Sequence, residues 1–224
     1  PPPDWLIPIF VGFHLHPPTA DALITDAPSV AYLRRHQPIG CRDQQSALLL
    51  RSAGIDAWYV GCPTMTFPER QKPAVPLPTT LVHVNAAAIP SRVRVRPRST
   101  SHIAPAYAGE ISKRQLARDL LAEYRDNSGL VITTRMHCAL PCIAMGIPTI
   151  FMGDPADPRF TPVDETIGVV PYPFAWHPNT LITKARRRIW RSLARQVNWH
   201  PEAPDCSDAR TRVSQAIAEK LASL

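Results

Sequence analysis

Short apolar, β-branched runs alternate along the chain with stretches whose apolar residues recur at helical spacing. The first pattern predicts buried strands and the second predicts helices packed on them. Residues 5–15 read as a strand that closes on His14-Leu15-His16 and turns at Pro17-Pro18. Helical spacing follows over 21–35, with Ser29 as an N-cap, and residues 38–42 form a short strand. Asp43 is placed to cap a helix over 44–52 that Gly54 stops, and 55–60 is again a strand. Strand, helix and strand in that order favour an α/β protein.

The same order returns further on. Residues 80–84 predict a strand, and Arg92, Arg94 and Arg96 alternate with valines as on a charged edge strand. An amphipathic helix over 111–124 carries Ile111, Leu116, Leu120, Leu121 and Tyr124 on its apolar side. It feeds the stretch from Gly129 to Gly153, where strands at 130–134 and 148–152 enclose a small apolar helix at 138–145. That is about the shortest right-handed crossover between parallel strands. Pro141 is expected in the first turn of that helix, where a missing N–H costs little, and Gly146 after its last turn. Residues 154–178 read as a loop rich in proline and glycine. A strongly basic helix over 180–197 follows, with Leu181, Ile182, Ala185, Ile189, Leu193 and Val197 as its apolar stripe. A final amphipathic helix covers 209–221.

The proline-rich residues 61–78 part the two α/β halves. The expected organisation is a short N-terminal lobe over 1–75, a C-terminal lobe over 76–180, and C-terminal helices over 181–224. The first residue is not methionine and the first lobe is short, so either residues are missing from its front or the lobe is a reduced one.

Composition narrows the class. With 224 residues, 45% hydrophobic and 19% charged, the chain is globular rather than disordered. The segment 7–15 is apolar but broken by Pro8, Gly12 and His14, and nothing reaches the length of a membrane span. Five cysteines, an odd number scattered through apolar segments, indicate reduced thiols and a cytoplasmic location. His137-Cys138 and Cys142 lack a second pair at zinc-like spacing, so neither a metal nor a cofactor is expected.

A net charge of +7 favours anionic partners: a phosphorylated small molecule, nucleic acid or an anionic membrane surface. Lys184, Arg186, Arg187, Arg188, Arg191 and Arg195 could hold the basic helix, residues 184–195, against the inner face of a membrane. Only Trp190 and Trp199 stand near those arginines as stacking platforms, so nucleic acid is not expected as a partner.

The candidate chemistry gathers where the strand at 130–134 meets its helix. Arg135 is a permanent planar cation suited to phosphate or carboxylate, and His137, two residues on, titrates near neutral pH. At the carboxyl end of a parallel strand, beside a helix N-terminus, the pair reads as an anion site with an acid/base group next to it.

With these motifs the chain resembles the polysaccharide pyruvyl transferase family. The likeness covers roughly residues 10–153 and rests on two motifs. One is the strand, Arg135-Met136-His137, the small helix and Gly146-Ile147-Pro148 before the next strand. The other is Cys41-Arg42-Asp43-Gln44-Gln45-Ser46, followed by Leu49-Leu50 and Gly54-Ile55. The family's Asn-x-Gly-Asp loop on the first strand has no counterpart here.

The resemblance implies two Rossmann-like lobes arranged as in GT-B glycosyltransferases, with the site between them. It implies transfer of a pyruvyl group from phosphoenolpyruvate to sugar hydroxyls of a cell-surface glycan or its lipid-linked precursor. Arg135 and His137 are then the catalytic pair, and Arg42, Asp43, His14, Met136 and Cys138 are the expected substrate contacts. A sugar-nucleotide glycosyltransferase and a non-catalytic anion- or nucleic-acid-binding protein stay open as alternatives, since fold does not fix function.

Overall fold

The computed structural model describes residues 5–84, 86, 89–93, 98–100, 109–172 and 188–222. The chain divides into two compact units. Unit 1 is Pro1–Thr66, Asp157–Pro162 and Cys206–Leu224, and unit 2 is Phe67–Ala156 and Val163–Asp205. The first passage between them, from Thr66 to Phe67, lies inside the proline-rich run.

Unit 1 holds a two-stranded parallel sheet, β1 (Ile39–Cys41) and β2 (Ala57–Tyr59), joined through α3 (Gln44–Ser52). Asp43 caps α3 by accepting from the Ser46 N–H at 2.8 Å, as the sequence predicts. Helices α1 (Pro17–Thr25) and α2 (Ala27–Arg35) precede the sheet. Ser29 is not the N-cap of α2. Asp26 is, and its carboxylate accepts from the Ser29 N–H at 2.9 Å.

Residues 5–15 do not form the expected strand. Phe13 bridges Cys41, while Gly12 takes a positive φ of 77° that interrupts any longer ladder. The segment still lies along β1, because Phe13 N–H donates to the Gly40 carbonyl and Gly40 N–H to that of Phe10. Glycine at 40 permits this approach: a Cβ there would lie 2.9 Å from the Phe10 carbonyl oxygen. Leu15, Leu33, Ile39, Leu50 and Ile55 fill the core beside it. The last helix, α7 (Ser207–Ala222), packs Val213 and Ala216 on Val60. Its Arg212 donates to the Val60 carbonyl and stacks 4.8 Å from the Tyr59 ring centroid.

Unit 2 is built on five parallel strands: β3 (Thr79–Val82), β4 (Arg98–Thr100), β5 (Leu130–Thr133), β6 (Thr149–Gly153) and β7 (Val170–Pro171). Their spatial order is β4-β3-β5-β6-β7. Both faces of the sheet are covered, which is why the strand sequences are nearly continuous apolar runs. Leu81, Leu130, Ile132, Ile150 and Met152 meet Trp190 and Trp199 on one face. Val82 and Val131 meet Tyr124, Cys138 and Cys142 on the other, under α4 (Glu110–Asn127) and α5 (Met136–Ala144). The result is a mixed α/β protein with parallel sheets.

Several local expectations change. Residues Ser91–Val93 form a 3₁₀ turn with Val93 buried, and strand is described at Arg98–Thr100; residues 94–97 of the expected arginine strand lie outside the described residues. Ile111 is 85% exposed, so α4 packs through Tyr124, Leu120 and Leu121 rather than its first turn. Pro141 lies inside α5, not in its first turn, and cannot donate to the His137 carbonyl. The expected loop at 154–178 contains a 3₁₀ turn (Pro158–Phe160), α6 (Thr161–Ile167) and β7. Of the expected basic helix, residues 180–187 lie outside the described residues, including Lys184, Arg186 and Arg187. Helix is described at 188–193, where Ile189 is 57% exposed and Trp190 takes the buried position instead.

Candidate functional site

In unit 2 the chain adds β4 on one side of β3 and then returns to lay β5 on the other. The direction of strand addition therefore reverses between β3 and β5, and ligands of open α/β sheets bind outside the carboxyl ends of strands at such a reversal. The residues leaving those two strands occupy that place. His83 follows β3 in a left-handed conformation, φ 55°, uncommon for a residue with a side chain. Thr134 follows β5 and its hydroxyl donates to the His83 carbonyl at 3.2 Å.

Arg135 stands at the N-cap of α5, its N–H donating to the Thr133 hydroxyl at 2.9 Å. Its carbonyl accepts from the N–H groups of Cys138 and Ala139, which fixes the first turn. Arg135 and His137 are exposed, while Met136 and Cys138 are buried. One turn thus presents a guanidinium and an imidazole outward beside the positive end of a helix. Met136 and Cys138 seat that turn from below. Cys138 belongs to the core with Tyr124 and Cys142, where burial first, and Cys138 next, push the Tyr124 hydroxyl and the Cys142 thiol upward. The Cys138 side chain is a packing group rather than a surface for substrate.

Unit 1 carries a second constellation. His14 follows the segment paired with β1, and its Nδ1 lies 2.7 Å from Oδ2 of Asp43, at the start of α3. Asp43 and Ser46 are buried, and the His14 side chain is 18% exposed. The Ser46 hydroxyl donates to Asp43 Oδ2 at 3.0 Å and accepts from the Leu15 N–H at 2.9 Å. Arg42, half-buried, has its proton affinity lowered first by burial, with Arg159 lowering it further and Asp43 opposing. Arg159 itself is held by Asp157, with Nε 2.9 Å from Oδ1. That pairing lowers the Asp157 carboxyl and raises the Arg159 guanidinium; the charge of His14 also lowers Asp157, as a lesser cause. Ser46, Asp157, Arg159 and His83 went unforeseen. The positions of His83 after a strand and Ser46 three residues beyond the cap were the available signals.

Among the described residues, a cavity of about 590 Å³ lies elsewhere on unit 2, lined by Thr149, Phe151, Gly168, Val170, Val197 and Pro201 among others. It includes neither Arg135 nor His137, and its walls supply no basic side chain. No group of three or more His, Cys, Asp or Glu placed to hold a metal ion occurs among the described residues. No helix there is long and apolar enough to cross a membrane.

Parallel strands, with an exposed arginine and histidine where strand addition reverses, define a protein of the α/β class. The family model for polysaccharide pyruvyl transferase matches residues 29–154, more than half of the chain, and spans both Arg42-Asp43 and Arg135-Met136-His137. The chain belongs to the polysaccharide pyruvyl transferase family. No curated protein matches it. Membership implies a transferase of polysaccharide biosynthesis with a glycan acceptor.

Proposed function

We propose that the protein transfers a pyruvyl group from phosphoenolpyruvate to two hydroxyls of one sugar, forming a cyclic ketal on a cell-surface glycan or its precursor. The observation that carries this reading is the exposed Arg135-x-His137 pair at the carboxyl end of β5. Phosphoenolpyruvate presents a phosphate and a carboxylate, which suit arginine forks and helix-terminal N–H groups. Arg135 and Arg42 are the proposed anion ligands. The GT-B-like pairing of lobes, and contact of the basic helix with an anionic membrane surface, belong to the same proposal.

The chemistry needs protons moved in both directions. A sugar hydroxyl adds to C2 of phosphoenolpyruvate while C3 gains a proton and becomes a methyl group. A second hydroxyl then displaces phosphate from C2, closing the ketal. His137 delivers the proton to C3, a task suited to an imidazole, which can both give and take a proton.

The test is incubation of the purified protein with phosphoenolpyruvate and oligosaccharides bearing neighbouring hydroxyls. The expected result is phosphate release that requires both substrates, with the acceptor gaining the mass of pyruvate less water. Phosphoenolpyruvate alone should raise the melting temperature, because a ligand of the native state stabilises it. A melting temperature raised only by sugar nucleotides, with no phosphate release, would overturn the reading.

A further inference from the structure

The chain leaves unit 2 after Ala156, adds only Asp157–Pro162 to unit 1, and returns to unit 2 at Val163. Pro158 and Pro162 stiffen this excursion, and Pro158–Phe160 form its 3₁₀ turn. The turn packs on α3, whose cap Asp43 follows Arg42 at the carboxyl end of β1. What the excursion carries there is Arg159. Asp157 holds that side chain along one edge: Oδ1 accepts from the Arg159 N–H at 3.0 Å and from Nε at 2.9 Å, and Oδ2 accepts from Nε and Nη2. The guanidinium carbon also lies 5.7 Å from the Phe160 ring centroid. Among the described residues nothing accepts from Nη1, so the fork of Nη1 and Nη2 is left for another acceptor. The Arg159 side chain is 39% exposed.

The carboxylates beside it are already committed. Asp43 gives Oδ1 to the Ser46 N–H at 2.8 Å and Oδ2 to the Ser46 hydroxyl at 3.0 Å, with His14 Nδ1 2.7 Å from Oδ2. Asp157 gives both oxygens to Arg159. Arg42 is half-buried and fixed by its backbone, whose N–H donates to the Phe13 carbonyl at 2.8 Å. Burial first, and the charge of Arg159 as a lesser cause, work against the charge on Arg42, while Asp43 and Cys62 favour it. An oxyanion bound to both guanidiniums relieves that repulsion, and the arginine fork matches phosphate and carboxylate in geometry. A guanidinium already fixed by folding also loses less freedom when it binds.

We propose that Arg159 and Arg42 form an oxyanion site within unit 1 that takes the phosphate or carboxylate end of phosphoenolpyruvate, with Asp157 as the positioning residue of Arg159. For the identity of the ligand the inference rests on the pyruvyl-transfer reading. Nη1 and Nη2 of Arg159 donate to two oxygens of the anion, and Asp157 keeps that fork in place from the opposite edge. All three side chains belong to unit 1. Arg159 lies beyond residues 29–154, the span of the family model, so its role is assigned from the structure alone.

The test is calorimetric binding of phosphoenolpyruvate to the full chain. Arg159→Gln should raise the Kd about 10–100-fold, because a charge and its hydrogen bonds to the anion are lost together. Arg159→Lys keeps the charge without the fork and should recover only part of that loss. Arg42→Gln should weaken binding too, whereas Arg35→Gln, which removes an exposed charge from the same unit, should leave the Kd unchanged. Asp157→Asn should weaken binding several-fold, although loss of a negative charge alone would strengthen it; tighter binding overturns the role given to Asp157. A folded Arg159→Gln protein with the wild-type Kd overturns the site and leaves the reaction standing. The wild-type chain supplies a second readout that needs no variant to fold. Phenylglyoxal modification of Arg159, located by mass spectrometry, should be slowed by phosphoenolpyruvate. Slowing by inorganic phosphate puts the phosphate end at Arg159, and slowing by pyruvate puts the carboxylate end there. Modification that none of these anions slows overturns the site. Binding that depends on Arg159 in a protein that transfers no pyruvyl group overturns the proposed function and upholds the site.

Discussion

The Thr134 hydroxyl donates to the carbonyl of His83 at 3.2 Å, tying together the ends of β5 and β3 where strand addition reverses. Removing that donor takes one side-chain hydrogen bond from a partly buried carbonyl. Thr134→Val should therefore cost about 1 kcal/mol of stability, while Thr134→Ser retains the bond and most of the stability. Urea unfolding midpoints for the two variants check this.

Gly129 enters β5 hard against the preceding chain. A Cβ at this position would lie 2.3 Å from the Leu77 carbonyl oxygen, and the Gly129 N–H donates to the Pro78 carbonyl at 2.8 Å. Backbone rather than a pliant side chain is in the way, so Gly129→Ala should destabilise by about 1–3 kcal/mol. Gly109 is the contrast, with no described residue within 4 Å of its would-be Cβ. As the N-cap of α4 it lacks a side-chain acceptor, and Gly109→Ser should be neutral or stabilising by a few tenths of a kcal/mol. Thermal melts of both variants separate the two environments.

Steady-state kinetics should divide the exposed pair on α5. His137→Ala should lower kcat for pyruvyl transfer by roughly 10²–10⁴-fold with little change in the KM for phosphoenolpyruvate. Arg135→Ala should raise that KM strongly and lower kcat too, because an anion ligand acts in binding and in turnover. A folded His137→Ala protein with wild-type kcat would make the histidine structural.

All five cysteines are free and buried. Burial first, and the Asp43 carboxylate next, push the Cys41 thiol up to about 12. The unfolded chain releases that proton at the ordinary thiol value, so it binds fewer protons than the native state in the alkaline range. The stabilisation is complete below the ordinary thiol value and is lost as pH rises toward about 12. Cys142 and Tyr124, both raised by burial, act in the same direction. Unfolding midpoints should fall as pH rises through the alkaline range, less steeply in Cys41→Ala. Thiol titration in denaturant without reductant should count five.

Local signals were the legible ones. The cap at Asp43 and the crossover from β5 to β6 depend on neighbours within a few positions, and Arg135 and His137 were found through that crossover. Residues 5–15 misled because an apolar run reads as a strand whether or not a positive-φ glycine breaks it. Of the alternating arginines only the start is described: Arg92 and Val93 lie in a 3₁₀ turn with Val93 buried, because an apolar contact outweighs a short polar alternation there. His83 was hidden because its backbone conformation leaves no trace in hydrophobic periodicity. The charge of Arg159 acts on Arg42 from a distant part of the chain, an effect that no local pattern encodes.

The three-part composition of unit 1 has a consequence for biosynthesis. Within residues 1–224 a ribosome enters this unit before unit 2 and leaves it after, since Cys206–Leu224 belongs to it while the final piece of unit 2 ends at Asp205. Val60, at the end of β2, awaits Val213 and Ala216 until α7 emerges. A nascent chain halted after Asp205 would carry every segment of unit 2 and an uncovered apolar patch on unit 1, the kind of surface chaperones hold.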